Sequence, residues 1–486
     1  MQHVVFSHSY FMRFDPKQWA TGQPYAPLGT LYAAALIREH GYTVSLFDSM
    51  FAREPDEVIY ELAKYPSGLF VLYDDGFNYL TKMCLTNMRE AAFRMIALAK
   101  ERGYTVIVSS SDSTDRYEEY LRKGANFILL GEAEHTLLEL VNKLQKPHTD
   151  FSDVRGLAYR ELGTVIKTAK RNVITELDSL PLPAWDIIDI EPYRQTWLKQ
   201  HGYFSLNMTT TRGCPFKCNW CAKPIYGNRY NSRSPQHVVN ELKILRKKFQ
   251  FDHIWFCDDI FGLKPGWVHE FANLVEKENL KFRFKIQARV DLMLQEHYIK
   301  DLARAGCDNS WMGAESGSQK ILDAMDKGTK VGQIYAATAL LKKHGIKPSF
   351  FIQFGYPGET KEDINKTIRM IHELLPAEIG ISVSYPLPGT VFYDRVKSEL
   401  REKTNWTDSN ELALMFRNRY QAAFYKQLHR YVHKSYRKHL ALYNIRQSIT
   451  SPFDINRRTL KKAFSFFYYM PSAFIEKIKL KQLENT

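Results

Sequence analysis

The 486-residue sequence has no run of about 18 apolar residues, so a membrane-spanning helix is not expected. The first residues, Met1–Phe6, lack the basic segment and apolar core of a secretory signal and are interpreted as a strand. Cysteine is scarce, with six residues, at 84, 214, 218, 221, 257 and 307. So few cysteines in so long a chain do not fit a disulfide framework. A metal site and a cytoplasmic location are therefore expected.

Positive charge is concentrated in one segment. The formal charge is +14, and residues 401–486 carry 17 Lys and Arg against 6 Asp and Glu, a net of +11. The segment mixes cations with aromatic residues, as in Arg430–Lys438 and Phe464–Met470. Three interpretations are open: basic helices that cap the protein, an interfacial membrane patch, or a nucleic-acid surface. The first is favoured, and the absence of a recognisable RNA-binding module argues against the third.

Residues 1–145 alternate between short apolar strands and amphipathic helices. Strands are predicted at 3–9, 43–48, 68–73, 105–109 and 127–130. Helices are predicted at 28–40, 57–64, 88–102, 117–123 and 134–144. This alternation predicts an α/β domain with a doubly wound parallel sheet. Residues 146–200, with the proline-punctuated stretch Leu177–Trp185, are predicted to be a linker with some strand.

Residues 201–400 resume the alternation. Strands are predicted at 205–210, 253–257, 282–288, 309–312, 349–354 and 378–385. Helices are predicted between them, for example at 235–249 and 330–344. The pattern predicts a partial or full (β/α) barrel, with chemistry at the C-terminal ends of its strands. Residues 401–486 are predicted to form a basic helical tail.

A cysteine motif follows the first predicted barrel strand. Its spacing is Cys-x3-Cys-x2-Cys, formed by Cys214, Cys218 and Cys221. Three thiolates on one tight loop can each hold one iron of a [4Fe–4S] cluster, which leaves the fourth iron open to a small chelating ligand. Structural zinc, with Cys257 or His237 as the fourth ligand, is the alternative. Zinc prefers four closed ligands, and the spacing favours the cluster.

The motif resembles the signature of the radical S-adenosylmethionine (SAM) superfamily, Cys-x3-Cys-x-aromatic-Cys, with Trp220 at the aromatic position. The resemblance implies that the open iron binds the amino and carboxylate groups of SAM, whose reductive cleavage yields a 5′-deoxyadenosyl radical. It also implies an electron donor such as flavodoxin or ferredoxin. Trp220 is then expected near the adenine, the alternative being a tryptophan that only supports the loop.

Two further matches lie at the ends of the next strands. Asp258 and Asp259 resemble the acidic stretch near the SAM amino group, since carboxylates suit an ammonium. A helix N-cap or a solvated loop is the alternative. Arg289, in the run Gln287–Asp291, resembles the Arg-Val-Asp element of cobalamin-dependent relatives, in which the arginine meets the SAM carboxylate. A surface salt bridge is the alternative.

The fourth and fifth barrel strands end in glycine-containing runs, Gly313–Ser318 and Phe354–Thr360. By the same resemblance, Glu315 accepts hydrogen bonds from the ribose, Ser316 lies beside it, and Gly355 borders the adenine. Each run alone is compatible with a simple turn. Their order, each at a strand end, makes the resemblance specific.

Residues 1–145 resemble the cobalamin-binding domain that precedes many radical SAM barrels, through Pro27–Leu36 and Gly124–Glu134. They lack the Asp-x-His-x-x-Gly motif whose histidine coordinates cobalt in many such domains. The resemblance therefore implies cobalamin without a protein ligand to cobalt. A domain that binds no corrin and only recognises substrate is the alternative. The loops after the third and fourth strands make Tyr73, Asp74 and Ser109 the predicted corrin contacts, with ordinary loop polarity as the alternative.

The whole resemblance covers residues 1 to 395, and is to the class that includes carbon and phosphinate methylases and the anaerobic magnesium-protoporphyrin ester cyclase. It implies hydrogen abstraction from an unactivated position of a small molecule and methylation from cobalamin, at carbon or phosphorus. The substrate is open, a lipid-like compound or a natural-product intermediate being compatible. Two alternatives remain: radical oxidation, cyclisation or rearrangement without methyl transfer, and a non-enzymatic metal- or corrin-binding module.

Overall fold

The computed structural model describes residues 3–77, 86–147, 149–223, 225–400, 416, 418–450 and 457–484, with the backbone alone for 457–462. The chain divides into two compact units. Unit 1 comprises Met1–Phe216, Lys223–Gln287 and Arg304–Cys307. Unit 2 comprises Lys217–Ala222, Ala288–Ala303 and Asp308–Thr486. The domain boundaries expected from the sequence, at residues 145, 200 and 400, stay a prediction.

The strands of the described residues are β1 (His3–Ser7), β2 (Thr43–Phe47), β3 (Leu69–Tyr73), β4 (Thr105–Ser109), β5 (Phe127–Leu129), β6 (Leu157–Glu161), β7 (Thr164–Lys167), β8 (Ser205–Met208), β9 (Thr211–Arg212), β10 (Asn231–Ser232), β11 (His253–Phe256), β12 (Arg283–Ala288), β13 (Cys307–Glu315), β14 (Lys347–Phe354) and β15 (Glu378–Val383). The α-helices are α1 (Pro16–Thr21), α2 (Leu28–Glu39), α3 (Val58–Leu62), α4 (Thr86–Glu101), α5 (Ser111–Asp115), α6 (Tyr117–Arg122), α7 (Glu134–Leu144), α8 (Glu191–His201), α9 (Pro235–Phe249), α10 (Trp267–Lys277), α11 (Glu296–Ala305), α12 (Gln319–Ala324), α13 (Val331–Lys343), α14 (Lys361–Leu374), α15 (Val391–Val396), α16 (Ala422–Thr450) and α17 (Arg457–Gln482).

Unit 1 contains a seven-stranded sheet in the order β2-β1-β3-β4-β5-β6-β7. Strands β1 to β5 are parallel, whereas β6 and β7 pair antiparallel at one edge. The doubly wound parallel sheet predicted from the sequence is confirmed. Strands β6 and β7, within the expected linker, extend it by two strands. The chain order reverses between β1 and β3, and ligands of doubly wound sheets bind outside the carboxyl ends of the strands at such a point.

The sheet is covered by helices on both faces, and successive residues of β1 show this because they pack into different core clusters. Val4 and Phe6 belong to a core cluster with residues of α2 and α7, whereas Val5 belongs to a second cluster with residues of α3, α4 and α6. Successive side chains of a strand point to opposite faces, so a strand buried on both faces is an unbroken apolar run. All five residues of β3, Leu69–Tyr73, are buried for the same reason.

Six further parallel strands alternate with helices along the chain, as predicted. In unit 1, β11 lies between β8 and β12. In unit 2, β14 lies between β13 and β15. The intervening helices are amphipathic, and α10, for example, buries Val268, Phe271 and Val275. A full barrel of this type has eight strands, so the strands of the described residues correspond to a partial barrel.

The basic C-terminal region is helical, as predicted. Helices α16 and α17 are antiparallel partners: Gln427 donates to the carbonyl oxygen of Glu476 over 3.0 Å, and Arg437 donates to the Tyr469 hydroxyl over 3.1 Å. Helix α16 is attached to the rest of unit 2 by Tyr436, whose hydroxyl donates to the carbonyl oxygen of Pro376 over 2.6 Å. Across the described part of the chain, every helix is too short or too polar to cross a bilayer.

Candidate active site

The cysteine loop follows β9 directly. Gly213 has a φ of 81°, and a Cβ atom there would collide with the carbonyl oxygen of Arg229, so the turn into Cys214 requires glycine. Cys214, Cys218 and Cys221 are half-buried, and none is disulfide-bonded. Among the described residues, no group of three or more Cys, His, Asp or Glu side chains lies in a metal-binding arrangement.

Asp258 holds the chain that leads into this loop within unit 1. Its Oδ1 accepts hydrogen bonds from the backbone N–H groups of Thr210 and Thr211, each over 2.7 Å, and its Oδ2 accepts from the Thr210 hydroxyl over 2.6 Å. Asp258 is buried, and burial raises its pKa above the ordinary value, although the threonine donors oppose this. The neighbouring Asp259 is exposed. The SAM ammonium contact stays a prediction for both aspartates, and Asp259 is the one with a solvent-facing carboxylate.

A second buried contact in unit 1 involves Arg212, two residues before Cys214. Its guanidinium pairs with Glu132 over 2.5 Å and with Glu134 over 2.7 Å, and all three side chains are 2–3% exposed. The guanidinium carbon also lies 5.4–5.5 Å from the ring centres of Tyr32, Phe77 and Tyr226. This set, the Arg212 cluster, joins the cysteine loop to the chain that follows β5.

The predicted corrin contacts lie where β3 and β4 end. Both carboxylate oxygens of Asp74 accept from Ser9, from its N–H over 2.6 Å and from its hydroxyl over 2.9 Å. The N–H of Asp74 donates to the carbonyl oxygen of Ser109 over 2.8 Å, so the structure brings these two residues together. Tyr73 is buried beside them, and its carbonyl oxygen accepts from the Thr30 hydroxyl. Corrin binding by Tyr73, Asp74 and Ser109 stays a prediction.

A histidine, His8, also lies at this edge, directly after β1. Its Nε2 is 2.8 Å from Asp48 Oδ1, and its Nδ1 is 3.1 Å from the Ser49 hydroxyl. The Tyr193 hydroxyl donates to the other oxygen of Asp48 over 2.8 Å. Both ring nitrogens of His8 are therefore engaged by the protein. The Ser111 hydroxyl, after β4, is buried and has no hydrogen-bond partner among the described residues.

In unit 2, two oppositely charged side chains form a buried pair at the end of β13. Lys327 Nζ donates to Glu315 Oε1 over 2.8 Å, and both residues are buried. A Cβ atom on Gly313 would lie 2.5 Å from that Nζ, so glycine makes room for the pair. Burial alone lowers the pKa of Lys327, but Glu315 and Cys218 raise it above the ordinary value. Arg289 donates to the carbonyl oxygen of Lys327 over 3.2 Å and brings a second cation to this group.

The cysteine loop is also held within unit 2, through Asn219. Its side-chain nitrogen donates to the carbonyl oxygen of Ala324 over 2.7 Å, and its side-chain oxygen accepts from the Tyr356 hydroxyl over 2.8 Å. Trp220 packs on the core cluster that includes Tyr356, with its ring centre 5.9 Å from Lys327 Nζ. The indole Nε1 of Trp220 is buried and has no hydrogen-bond partner among the described residues.

Ser316 and Gly355, two further predicted residues, are engaged by the protein. The Ser316 hydroxyl is 3.1 Å from that of Thr367 on α14. The N–H of Gly355 donates to Glu359 Oε2 over 2.6 Å. Burial raises the pKa of Glu359 to about 8. The contacts of Ser316 and Gly355 with SAM stay predictions.

Sequence analysis does not identify three residues that support the candidate site, namely Arg212, Lys327 and Asn219. A signal existed for Arg212 and Asn219, since both lie in or beside the cysteine motif. No signal existed for Lys327, because its approach to Glu315 depends on the fold of the chain between β13 and α13 rather than on spacing.

Comparison with known proteins shows what this chain is similar to. Residues 208–371 match the model of the radical SAM superfamily. An uncharacterized methyltransferase, PH0819, from Pyrococcus horikoshii is 27% identical over 386 residues, which cover 78% of this chain and 80% of that protein.

Two solved structures share the fold. The cobalamin-dependent SAM radical enzyme OxsB, solved with aqua-cobalamin, matches with a TM-score of 0.74 at 19% identity, over 98% of this chain and 72% of that one. The radical SAM methyltransferase TsrM from Kitasatospora setae, solved with cobalamin and a [4Fe–4S] cluster, matches with a TM-score of 0.66 at 17% identity, over 82% of this chain and 78% of that one. Residues 208–371 therefore resemble a radical SAM domain, and the relatives support the assignment of the chain as an enzyme.

Proposed function

We propose that the protein is a cobalamin-dependent radical SAM methyltransferase that methylates an unactivated carbon or phosphorus centre of a small molecule. The observation that carries the proposal is the three-thiol loop at the start of a radical SAM domain, in a chain that shares its fold over 98% of its length with a cobalamin-dependent SAM radical enzyme. The methyltransferase relative PH0819 supports methyl transfer as the outcome.

The donor set fits a [4Fe–4S] cluster. Three thiols can bind three of the four irons and leave one iron for SAM, whereas structural zinc requires four ligands. Within unit 1, Asp258 fixes the chain before Cys214, and within unit 2, Asn219 fixes the chain that follows Cys218. The role proposed for each residue is to hold its part of the loop in one conformation.

Buried charges in unit 2 fit the two ends of a SAM molecule. Arg289 and Lys327 supply cations for its carboxylate, and Glu315 supplies an acceptor. The unpaired indole N–H of Trp220 is a donor for the adenosine moiety. Burial excludes water from these groups and strengthens each electrostatic contact.

The edge of the seven-stranded sheet fits a corrin that takes no ligand from the protein. His8 has both ring nitrogens engaged, so it is held away from cobalt ligation. The buried, unpaired hydroxyl of Ser111 leaves a polar atom for a bound molecule. When bound, the cluster, SAM and cobalamin supply the electron, the 5′-deoxyadenosyl radical and the methyl group. Flavodoxin or ferredoxin is the proposed electron donor.

The proposal is tested with the full chain, reconstituted anaerobically with iron, sulfide and hydroxocobalamin and supplied with CD3-labelled SAM and a reductant. We expect one corrin per chain, a base-off spectrum without histidine ligation, and CD3 on the corrin by mass spectrometry. A protein that retains no corrin contradicts the proposal. A protein that retains corrin and releases 5′-deoxyadenosine without moving the label is instead an enzyme of radical oxidation, cyclisation or rearrangement.

A further inference from the structure

Helix α17 carries an exposed apolar face. At 100° per residue the side chains of this face fall within an arc of about 120° over roughly 21 Å of helix. It contains no charged residue. Its exposed side chains are Phe464 (67%), Phe467 (70%), Tyr468 (61%), Phe474 (66%), Ile475 (50%) and Ile478 (44%). We call it the α17 face.

The opposite side of α17 already has its partner. Ala473 and Leu480 lie on that side and are buried. Gln427 of α16 donates to the backbone and the side chain of Glu476, which fixes the rotation of α17 about its axis. The exposed apolar residues therefore do not belong to the side of α17 that packs on α16. They are a second apolar side, which the described residues leave in water.

The α17 face is large enough to be a binding surface. Its four aromatic side chains, about two-thirds exposed, present about 500 Å² at roughly 200 Å² each. The largest apolar patch of a typical monomer is about 300–600 Å², and such patches commonly serve binding. The aromatics alone reach that range.

Cations line the α17 face on both sides. On the helical projection, Lys479 lies at one side and Lys481 at the other, and both are exposed. Lys434 Nζ donates to the Tyr468 hydroxyl over 2.9 Å and lies 4.5 Å from its ring centre. An apolar face bordered by lysines, with tyrosine at the rim, is typical of helices that lie in a membrane interface.

Charge distinguishes between two candidate partners of the α17 face, a second copy of the chain and an anionic lipid surface. Residues 401–486 carry a net charge of +11. A second copy of the chain would bring two such segments together, at a cost in repulsion. An anionic lipid surface is complementary to them, and each cation near such a surface adds to binding.

We propose that the α17 face docks the protein on an anionic membrane surface. The aromatic and aliphatic side chains enter the boundary between headgroups and acyl chains, about 5–10 Å deep, and the lysines contact the anionic headgroups. The helix lies in the plane of the membrane and does not cross it. This inference depends on α17, on Lys434 and on the charge of residues 401–486, and it is independent of the cofactors.

The test is sedimentation of the full chain with vesicles of phosphatidylcholine, with and without 30% phosphatidylglycerol. We expect co-sedimentation with the anionic vesicles, at least about tenfold weaker binding to the neutral ones, and release at high salt. The variant Phe467→Ser/Phe474→Ser is expected to weaken binding about tenfold or more. The matched control, Tyr60→Ser/Leu162→Ser, removes two apolar residues of unit 1 that are at least as exposed and is expected to bind as wild type.

Three results overturn the proposal. The first is wild-type protein that stays in the supernatant with anionic vesicles at low salt. The second is equal binding by the serine variant and wild type. The third is a wild-type mass of two chains in solution that the serine variant reduces to one, which makes the α17 face an interface between copies. If the serine variant does not fold, Lys479→Glu/Lys481→Glu replaces it, because both lysines are exposed and their reversal is expected to abolish anionic binding alone.

Discussion

Replacement of Arg212 by methionine tests how the cysteine loop is held to unit 1. Methionine keeps most of the side-chain volume but removes the charge. Glu132 and Glu134 then remain as two buried carboxylates without a cation, in a place where each side chain is 2% exposed. The three aromatic rings around the guanidinium lose their cation at the same time.

The expected cost is large. Loss of one partner of a buried ion pair costs about 3–5 kcal/mol, because the other charge is left buried and unpaired. A typical domain is stable by about 5–15 kcal/mol, so the variant loses a substantial part of its stability. Burial already raises the pKa of Glu132, with Glu134 adding to it and Arg212 opposing it. The variant should therefore recover some stability at acidic pH, where the carboxylates take up protons.

Native-state hydrogen exchange is the appropriate assay, because two compact units need not unfold together. We expect amides of β5, the first turn of α7 and residues 209–214 to exchange faster by a factor equivalent to about 3–5 kcal/mol. The triple variant Arg212→Met/Glu132→Gln/Glu134→Gln should regain much of the loss, since no charge remains unpaired. Arg94→Met is the matched control: its pair with Asp56 is 40–48% exposed, and its loss should cost less than about 1 kcal/mol. If Arg212→Met costs no more than Arg94→Met, the Arg212 cluster does not hold the loop.

Two further predictions concern unit 2. Tyr356→Phe leaves the buried side-chain oxygen of Asn219 without its donor, whereas the carbonyl oxygen of Ala324 still accepts from Asn219. The expected cost is about 1–2 kcal/mol, so a chelator should remove iron from the reconstituted protein about tenfold faster. Tyr335→Phe, whose hydroxyl donates to the surface residue Glu373, should not change the rate. Equal rates for the two variants contradict this role of Tyr356. In the folded chain Glu359 has a pKa of about 8, whereas a glutamate in the unfolded chain has a pKa near 4.5. Between these two pH values the folded chain holds a proton that the unfolded chain has released, so the free energy of unfolding of the wild type falls as the pH rises. Glu359→Gln should therefore gain about 1–3 kcal/mol relative to wild type between pH 6 and pH 9 in urea titrations, and a constant difference would show that Glu359 is not protonated at pH 6.

The fold was largely predictable because its strands are buried on both faces. Val4–Phe6 of β1 and Leu69–Tyr73 of β3 are continuous apolar runs, and glycines such as Gly41 and Gly103, both at positive φ, end the preceding helices. The sheet order was not predictable, since parallel strands of similar composition fit several orders. Strands β6 and β7 were assigned only to a linker, because nothing in a short hairpin indicates which edge it joins.

The cysteine motif was readable from spacing alone, whereas its supports were not. Asp258 looks like a ligand-binding acid in the sequence, yet both its oxygens accept from the chain between β8 and β9. Spacing reports which residues share a loop, and it does not report which hydrogen bonds a side chain makes. The pairing of Lys327 with Glu315 arises from tertiary packing and was invisible for the same reason.

The sequence predicts corrin contacts at the carboxyl ends of β3 and β4, but it does not predict which hydrogen bonds the residues there make. Asp74 and Ser109 meet there, as their positions after β3 and β4 required. The sequence gives no signal for His8, because this histidine belongs to no cobalt-binding motif. Its engagement at both ring nitrogens agrees with the missing Asp-x-His-x-x-Gly motif.

The most direct test of the central claim is metal analysis of anaerobically reconstituted protein together with its cleavage of SAM. We predict about four irons and four sulfides per chain and release of 5′-deoxyadenosine after reduction. Cys218→Ala should abolish that release. Cys257→Ala, the control, should retain it, because Cys257 lies outside the motif. Stoichiometric zinc in place of iron, or undiminished SAM cleavage by Cys218→Ala, would contradict the claim.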